Sequence, residues 1–164
     1  MNANDDGTGL DTDCNCVYMP YVDGASFSGL RDTPWPVPGS TPPASLVFRG
    51  IKNFDASFDY FFAHLGLGNA TEFVLTGGSA GGLSTFLHLD RAAERVHSQA
   101  PHIKSIRGAP FVGYFLDHDN FAHSSSNYTA WMKYIYHMQN LGESTALSTG
   151  CLAAFPDSPW YCFM

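Results

Sequence analysis

A serine in the segment "LTGGSAGGLS" has the neighbours that a catalytic nucleophile requires. Residues 77–81, Gly-Gly-Ser-Ala-Gly, fit the pattern Gly-x-Ser-x-Gly, in which the serine projects from a sharp turn between a strand and a helix. The serine backbone is strained in such a turn, and side chains two positions before and after it would collide. The pattern predicts Ser79 as a nucleophile, and the glycines that form its turn are Gly77, Gly78, Gly81 and Gly82.

The helix that follows Ser79 favours the same chemistry. The first N–H groups of a helix have no acceptor inside it, and its dipole attracts negative charge. The backbone N–H of Ala80 is therefore the first donor expected for a tetrahedral oxyanion. A glycine-rich turn that binds a phosphate, or that binds nothing, is the alternative reading. A P-loop is excluded because no Gly-Lys-Ser/Thr follows, and the dinucleotide fingerprint is not in register.

The elements around this turn alternate between strand and helix. "EFVLT" is an apolar run typical of a buried strand, and Leu83, Phe86, Leu87 and Ala93 predict a helix ending near Val96. Upstream, "SLVFRG" predicts a short buried strand. Apolar residues at helical spacing from Ile51 to Leu65 predict a helix whose apolar face packs in the core. "HIKSIRG" predicts the next strand, and a third helix, with Tyr128, Trp131, Met132, Ile135 and Met138 on one face, follows the candidate N-cap Asn127.

This alternation predicts an α/β fold in which crossover helices layer against a parallel sheet. Ligands bind at the carboxyl ends of the strands in such folds, and the glycine cluster lies at one such end. Residues 1–45 are rich in turn residues, with a short strand expected at 17–22. Residues 46–164 carry the α/β core, interrupted by a loop from Gly108 to about Ser126.

Composition narrows the classes of partner. The 164 residues hold 8 Lys+Arg against 15 Asp+Glu, a net charge of −7, with no basic stripe, so nucleic acid is not an expected partner. No apolar stretch approaches the roughly 20 residues of a membrane span. No cysteine–histidine cluster has zinc spacing, so neither a metal nor a cofactor is predicted.

The cysteines and two sequons favour a secreted parent protein, although the polar, acidic N-terminus is not a signal peptide. Asn69 and Asn127 begin glycosylation acceptor patterns. Cys151 and Cys162 can pair with each other across a short loop. Cys14 and Cys16 are too close in sequence to pair easily with each other.

Five segments of the sequence resemble those of a known family. "FVLTGGSAGGLSTFLHLDR" resembles the nucleophile segment of the pectin acetylesterase family, which includes the Notum carboxylesterases; the motif and the late Asp90 of the helix both match. Four further segments agree in the same order and span most of the chain: "YVDGASFSG", "LVFRG", "GYFLD" and "CLAAFPDSPWYCFM". The sequence departs from the family pattern at Val22, at Gly78 and in the loop Pro110–Gly113, which lacks a carboxylate near the expected site.

The resemblance implies a layered α/β-hydrolase-like fold and a single partial domain over residues 1–164. It implies an esterase that removes acetyl or other acyl groups from a polysaccharide or glycoconjugate through an acyl-enzyme on Ser79. It also implies a secreted or cell-wall location.

In the family, the orienting Asp and the His base follow the last matched segment, and further oxyanion donors precede the first. The chain is therefore expected to be a fragment cut at both ends, with weak or no activity by itself. The acid–histidine cluster Asp117, His118, Asp119 and His123 is predicted to be a polar surface loop. Two alternatives stay open: a catalytically silent fragment or binding module of the same fold, and a generic α/β-hydrolase lipase or peptidase.

Overall fold

The computed structural model describes residues 14–118 and 127–164. Its strands are β1 (Arg31–Pro36), β2 (Ser45–Phe48), β3 (Glu72–Gly78) and β4 (Ser105–Phe111). Its α-helices are α1 (Gly50–His64), α2 (Ala80–Gln99), α3 (Asn127–Met138) and α4 (Thr149–Ala154). Short 3₁₀ turns lie at Leu67–Asn69, Leu141–Glu143 and Pro159–Phe163. No helix among these residues has the length and apolar character needed to cross a membrane.

Strands β3 and β4 form a parallel pair joined by α2. Their register runs from Glu72 opposite Ser105 to Gly78 opposite Phe111. Strand β4 continues three residues beyond the predicted "HIKSIRG", into a segment expected to be loop, because those residues pair with the end of β3. The Thr76 hydroxyl reinforces this extension by donating to the Ala109 carbonyl at 2.7 Å. The parallel unit with a crossover helix is the arrangement that strand–helix alternation predicts.

The strand predicted at "SLVFRG", which corresponds to β2, does not pair with β3 or β4. The expectation that it is a buried strand of the parallel sheet is therefore wrong. Strand β2 pairs antiparallel with β1, and Leu46 and Val47 remain 51% and 46% exposed. Strand β1 lies in the proline-rich run that was expected to be loop. Proline restricts itself and the residue before it to extended backbone, so Pro34 and Pro36 suit an edge strand. The short strand expected at 17–22 is not found there.

Helix α2 lies between two apolar clusters. One packs α1, α2 and the parallel strands together around residues such as Phe54, Phe58, Val96 and Ile103. The other joins α2 through Leu83 to α3 and the C-terminal segment. The nucleophile helix is therefore held on two sides.

The helix faces differ in part from the sequence prediction. Helix α1 buries Ile51, Phe54 and Phe58 as expected, but Leu65 lies past its end and is 49% exposed. In α2 the buried stripe includes His88, whereas Phe86 is 62% exposed; in α3, Trp131 is 63% exposed. Apolar spacing identified the helices, but which apolar residue faces inward depends on where the neighbouring elements pack.

Two further links tie the layers together. Arg91 of α2 donates from Nε and Nη2 to the two carboxylate oxygens of Asp55 in α1, at 2.7 and 2.6 Å, and from Nη1 to the Thr145 hydroxyl at 2.7 Å. A disulfide joins Cys151 of α4 to Cys162, the pairing raised from the sequence. Cys14 and Cys16 are exposed and unpaired.

Candidate active site

Ser79 lies in the turn between the last residue of β3 and the first residue of α2, and its backbone has a positive φ of 54°, with ψ −116°. Non-glycine residues rarely adopt this region, and they persist there only where the surroundings hold them. Here the Ser79 N–H donates to the Phe111 carbonyl at 3.0 Å, and the Ser79 carbonyl accepts from Leu83 N–H at 3.1 Å. The turn is thus fixed by the neighbouring strand and by the helix it starts, and the Ser79 residue is exposed.

The glycines of this turn have unequal roles. A Cβ added at Gly77 would lie 2.6 Å from both the carbonyl carbon and the oxygen of Gly81, which are backbone atoms that cannot move aside. A Cβ at Gly81 would meet no heavy atom of the described residues within 4 Å, and the same holds for Gly78. The expectation that glycine 81 is needed to remove a side chain is therefore wrong for these residues. Gly81 contributes its backbone as the surface against which Gly77 packs.

Gly82 makes the second close approach, to the end of β4. A Cβ there would lie 2.7 Å from Gly113 Cα and from the Phe111 carbonyl oxygen. Between these two residues, Val112 has φ 41°, another non-glycine residue with positive φ. The start of α2 is therefore pressed against a strained strand end, and residues 111–113 belong to the site. From the sequence, Pro110–Gly113 was expected to be part of a loop in which the chain departs from the family pattern.

The N-terminus of α2 presents, beside Ser79, backbone N–H groups that have no acceptor inside the helix. Leu83 provides the first N–H of the helix that bonds back to the turn. The N–H groups of Ala80, Gly81 and Gly82 precede it and have no acceptor within an α-helix. They give the region a positive potential, and the Ala80 N–H, adjacent to Ser79, is the donor that the sequence predicts for an oxyanion.

A histidine base is not in place within the described residues, where no histidine bonds to the Ser79 hydroxyl. His88 is fully buried, stacks on Phe54 with ring centroids 4.5 Å apart, and places Nε2 2.8 Å from the Ser26 carbonyl oxygen. Burial lowers the pKa of His88 to about 4, so the ring is neutral near pH 7. Its contacts and its burial give it a structural role.

The predicted acid–histidine loop is only partly described. The carboxylate of Asp117 accepts a hydrogen bond from the Thr129 hydroxyl of α3, and His118 is exposed. Asp119 and His123 lie outside the described residues. No group of three or more histidine, cysteine or acidic side chains in the described part of the chain could hold a metal ion.

Loop 23–29, of which residues 25–29 are buried, adds residues that no local pattern had singled out. The Ser26 hydroxyl donates to the Ala80 carbonyl at 2.8 Å. A Cβ at Gly50, the first residue of α1, would collide with the Asp23 carboxylate. Burial raises the pKa of Asp23, whose two carboxylate oxygens have no hydrogen-bond partner among the described residues. The only signal in the sequence that singled out this loop was the resemblance of "YVDGASFSG" to the family pattern.

The two glycosylation sequons lie in different kinds of local structure. Asn69 ends an exposed 3₁₀ turn and is itself exposed. Asn127 begins α3, but its side chain, and with it the predicted cap, lies outside the described residues. The structure therefore places one acceptor asparagine at the surface.

Comparison with known sequences identifies the family to which the chain belongs. A family model described as "Pectinacetylesterase" matches residues 12–164. Pectin acetylesterase 11 of Arabidopsis thaliana is 27% identical over 149 residues, 91% of this chain and 34% of that protein. The palmitoleoyl-protein carboxylesterase NOTUM of Drosophila melanogaster is 28% identical over 153 residues, 91% of this chain and 21% of that protein. The human palmitoleoyl-protein carboxylesterase NOTUM is 36% identical over 110 residues, 67% of this chain and 21% of that protein.

Comparison with solved structures identifies the fold. The Wnt deacylase Notum from Drosophila superposes with a TM-score of 0.69 at 23% identity, covering 88% of this chain and 40% of that chain. A second crystal form gives a TM-score of 0.68. The described residues thus form part of an α/β-hydrolase-like fold. Against the curated relatives compared above, the chain spans between 21% and 34% of their length.

Proposed function

Because the chain belongs to the pectinacetylesterase family, we propose that it is a serine carboxylesterase-type hydrolase acting on an acylated carbohydrate or glycoconjugate. The relatives are named for removing an acetyl group from pectin or a palmitoleoyl group from a protein. Both reactions break an ester, and the proposal extends that chemistry to this chain. The observation that carries it is the strained turn at Ser79, where φ is positive, at the carboxyl end of β3.

In the proposed reaction, the Ser79 oxygen attacks the acyl carbon of the ester while a general base takes the hydroxyl proton. The carbonyl oxygen becomes an oxyanion, and the Ala80 N–H stabilises it. The intermediate collapses as the C–O bond to the sugar breaks, and the proton passes to the departing alkoxide. Water then attacks the acyl-enzyme by the same route, releasing the carboxylic acid and restoring the Ser79 hydroxyl.

We further propose that residues 1–164 by themselves turn over esters slowly. Among the described residues no histidine forms a hydrogen bond with the Ser79 hydroxyl, so none of them holds an acceptor for its proton. In well-studied triads, loss of the base costs on the order of 10⁶ in turnover. Only the unbonded N–H groups at the start of α2 then favour the oxyanion.

The test uses a fluorophosphonate, which reacts with a serine oxygen to form a stable phosphonyl adduct, followed by mass spectrometry of peptides. We expect slow labelling confined to Ser79, lost in Ser79→Ala and kept in Ser84→Ala. Ser84 is the matched control, because it lies on the same helix and is half-buried. Hydrolysis of p-nitrophenyl acetate should stay barely above buffer.

Each of the other possible outcomes contradicts one part of the proposed function. Labelling that persists in Ser79→Ala would refute the nucleophile, and no labelling at all would favour the silent binding module. Brisk acetate hydrolysis abolished by Ser79→Ala would contradict the slow turnover and direct the search for a base to residues 117–123. Brisk hydrolysis indifferent to Ser79 would favour a different hydrolase mechanism.

The parent protein is proposed to be secreted or cell-wall bound. The disulfide Cys151–Cys162 is typical of oxidising compartments, and the exposed Asn69 fits a glycan acceptor. Expression through a eukaryotic secretory pathway should give a glycoform that peptide-N-glycosidase shifts on a gel. Asn69→Gln should remove that part of the shift; an unchanged shift would count against Asn69 as an acceptor.

A further inference from the structure

Ser26 contacts the nucleophile helix at two points. Its hydroxyl donates to the Ala80 carbonyl at 2.8 Å, and its own carbonyl lies 2.8 Å from Nε2 of His88, which must donate because a carbonyl only accepts. Ala80 and His88 are eight positions apart, so they share one face of α2, about 12 Å apart along its axis. The His88 side chain covers part of that separation because helical side chains lean toward the N-terminus, and Ser26 with its two hydrogen bonds covers the rest. Through these two hydrogen bonds, Ser26 links the first residue of α2 to the third turn of the same helix.

Ser26 is a fixed point rather than a mobile side chain. It is 2% exposed, and both Ser26 and Phe27 have left-handed backbones, with φ 52° and 60°. Such residues persist where the surroundings over-determine them. Gln139 supplies part of that restraint. Its side-chain Nε2 donates to the Asp23 backbone carbonyl at 3.0 Å, and its backbone carbonyl accepts from the Leu30 N–H at 2.9 Å. Both ends of the loop are thus bonded to the end of α3.

The helix needs such a restraint where it begins. Its first three residues are Ala80, Gly81 and Gly82, and glycine has a permissive backbone, so this turn is prone to fray. An oxyanion donor is effective only when it is held within about 0.5 Å and 10–20° of its working position. The Ala80 N–H and carbonyl flank one Cα, so a bond to that carbonyl limits the directions in which the N–H can point.

We infer that Ser26 is a positioning residue of the esterase site: its hydroxyl, anchored in loop 23–29, holds Ala80 so that the Ala80 N–H faces the oxyanion. This inference rests on the proposed role of Ser79 as nucleophile. Ser26 itself touches neither the ester nor the reacting atoms. Its removal should slow the chemical step without weakening the binding of the probe.

The experiment compares Ser26→Ala, Ser26→Gly and Ser28→Ala in the 164-residue chain. The maximal rate of Ser79 phosphonylation by the fluorophosphonate should fall about tenfold in both Ser26 variants, with its apparent KI unchanged; complete loss of one oxyanion donor costs 10²–10³. Ser28→Ala is the matched control, because Ser28 is equally buried but its hydroxyl donates within the loop, to the Ala25 carbonyl at 2.5 Å. Its labelling rate should stay at the wild-type value.

The glycine variant separates positioning from stability. Glycine accepts φ 52° without strain, so Ser26→Gly should unfold at a higher urea concentration than Ser26→Ala, yet label equally slowly because both lack the hydroxyl. If the more stable Ser26→Gly instead labelled faster than Ser26→Ala, the labelling rate would depend on stability. Ser26 would then have only a structural role, and the inference would be wrong.

A readout independent of chemistry completes the test. The ¹⁵N order parameter of the Ala80 amide should fall in Ser26→Ala, from about 0.85 toward 0.6. An unchanged order parameter would show that the hydroxyl does not restrain Ala80, whatever Ser79 does. A lowered order parameter with unchanged labelling would show that the restraint does not serve the oxyanion. If wild-type Ser79 never labels, the proposed function fails, and the inference fails with it.

Discussion

Replacing Gly77 by alanine tests whether the nucleophile turn depends on close contact between backbones. The new Cβ would lie 2.6 Å from the carbonyl carbon and oxygen of Gly81. Because an ordinary contact begins near 3.4 Å, the strand end and the helix start would have to separate by about 0.8 Å. Neither partner is a flexible side chain that could turn away.

The cost of that separation is set by overpacking, which is typically about 1–3 kcal/mol. The upper end applies here because the same movement strains the Ser79 N–H bond to the Phe111 carbonyl, at 3.0 Å. A loss of about 3 kcal/mol should lower Tm by roughly 6–12 °C in a domain of this size. Labelling of Ser79 should also slow, because the movement displaces the nucleophile from the start of α2.

Gly81→Ala is the matched control, since its Cβ meets no described atom within 4 Å. Alanine is the better helix former, so we expect this variant to gain about 0.5–1 kcal/mol. Urea unfolding of wild type and both variants, followed by far-UV circular dichroism, measures the difference. Equal stability of the two alanine variants would refute the argument that Gly77 is required by contact.

Three further outcomes follow from buried or paired groups. The pKa of His88 lies near 4 in the folded chain, below its ordinary 6.5, so the unfolded chain binds more protons between these values. Its contribution to the free energy of unfolding, on the order of 3 kcal/mol, is present above pH 6.5 and lost as the pH falls toward 4. If the free energy of unfolding of His88→Gln fell as steeply with pH over this range as that of wild type, the assignment to His88 would be wrong. Arg91→Met keeps the stem but removes the paired bonds to Asp55 and should cost about 1–2 kcal/mol in urea unfolding; a loss below about 0.5 kcal/mol would show that the pair is screened. Reducing Cys151–Cys162 should cost about 2–3 kcal/mol by chain entropy, and an unchanged Tm after reduction would refute that.

The turn that carries Ser79 was predictable because its signals are local. The spacing of glycines around Ser79 and the apolar runs on either side require only neighbouring residues, and the turn forms where they indicate. The parallel pairing of β3 with β4 followed from the strand–helix–strand order. The hairpin partner of β2 was not predictable in this way, because the prolines that signal a loop also suit an edge strand.

The sequence by itself determined which residues form the turn around Ser79, since a serine with positive φ between glycines depends on backbone sterics over five positions. It also determined the family, because five collinear segments match. Only the tertiary structure decided which glycine is needed for packing: Gly77 requires room because Gly81 lies across the turn from it. Only the structure brought Ser26 to Ala80, 54 positions away along the chain. Such contacts arise from the packing of a loop against a helix, and no local spacing records where that packing brings the two segments together.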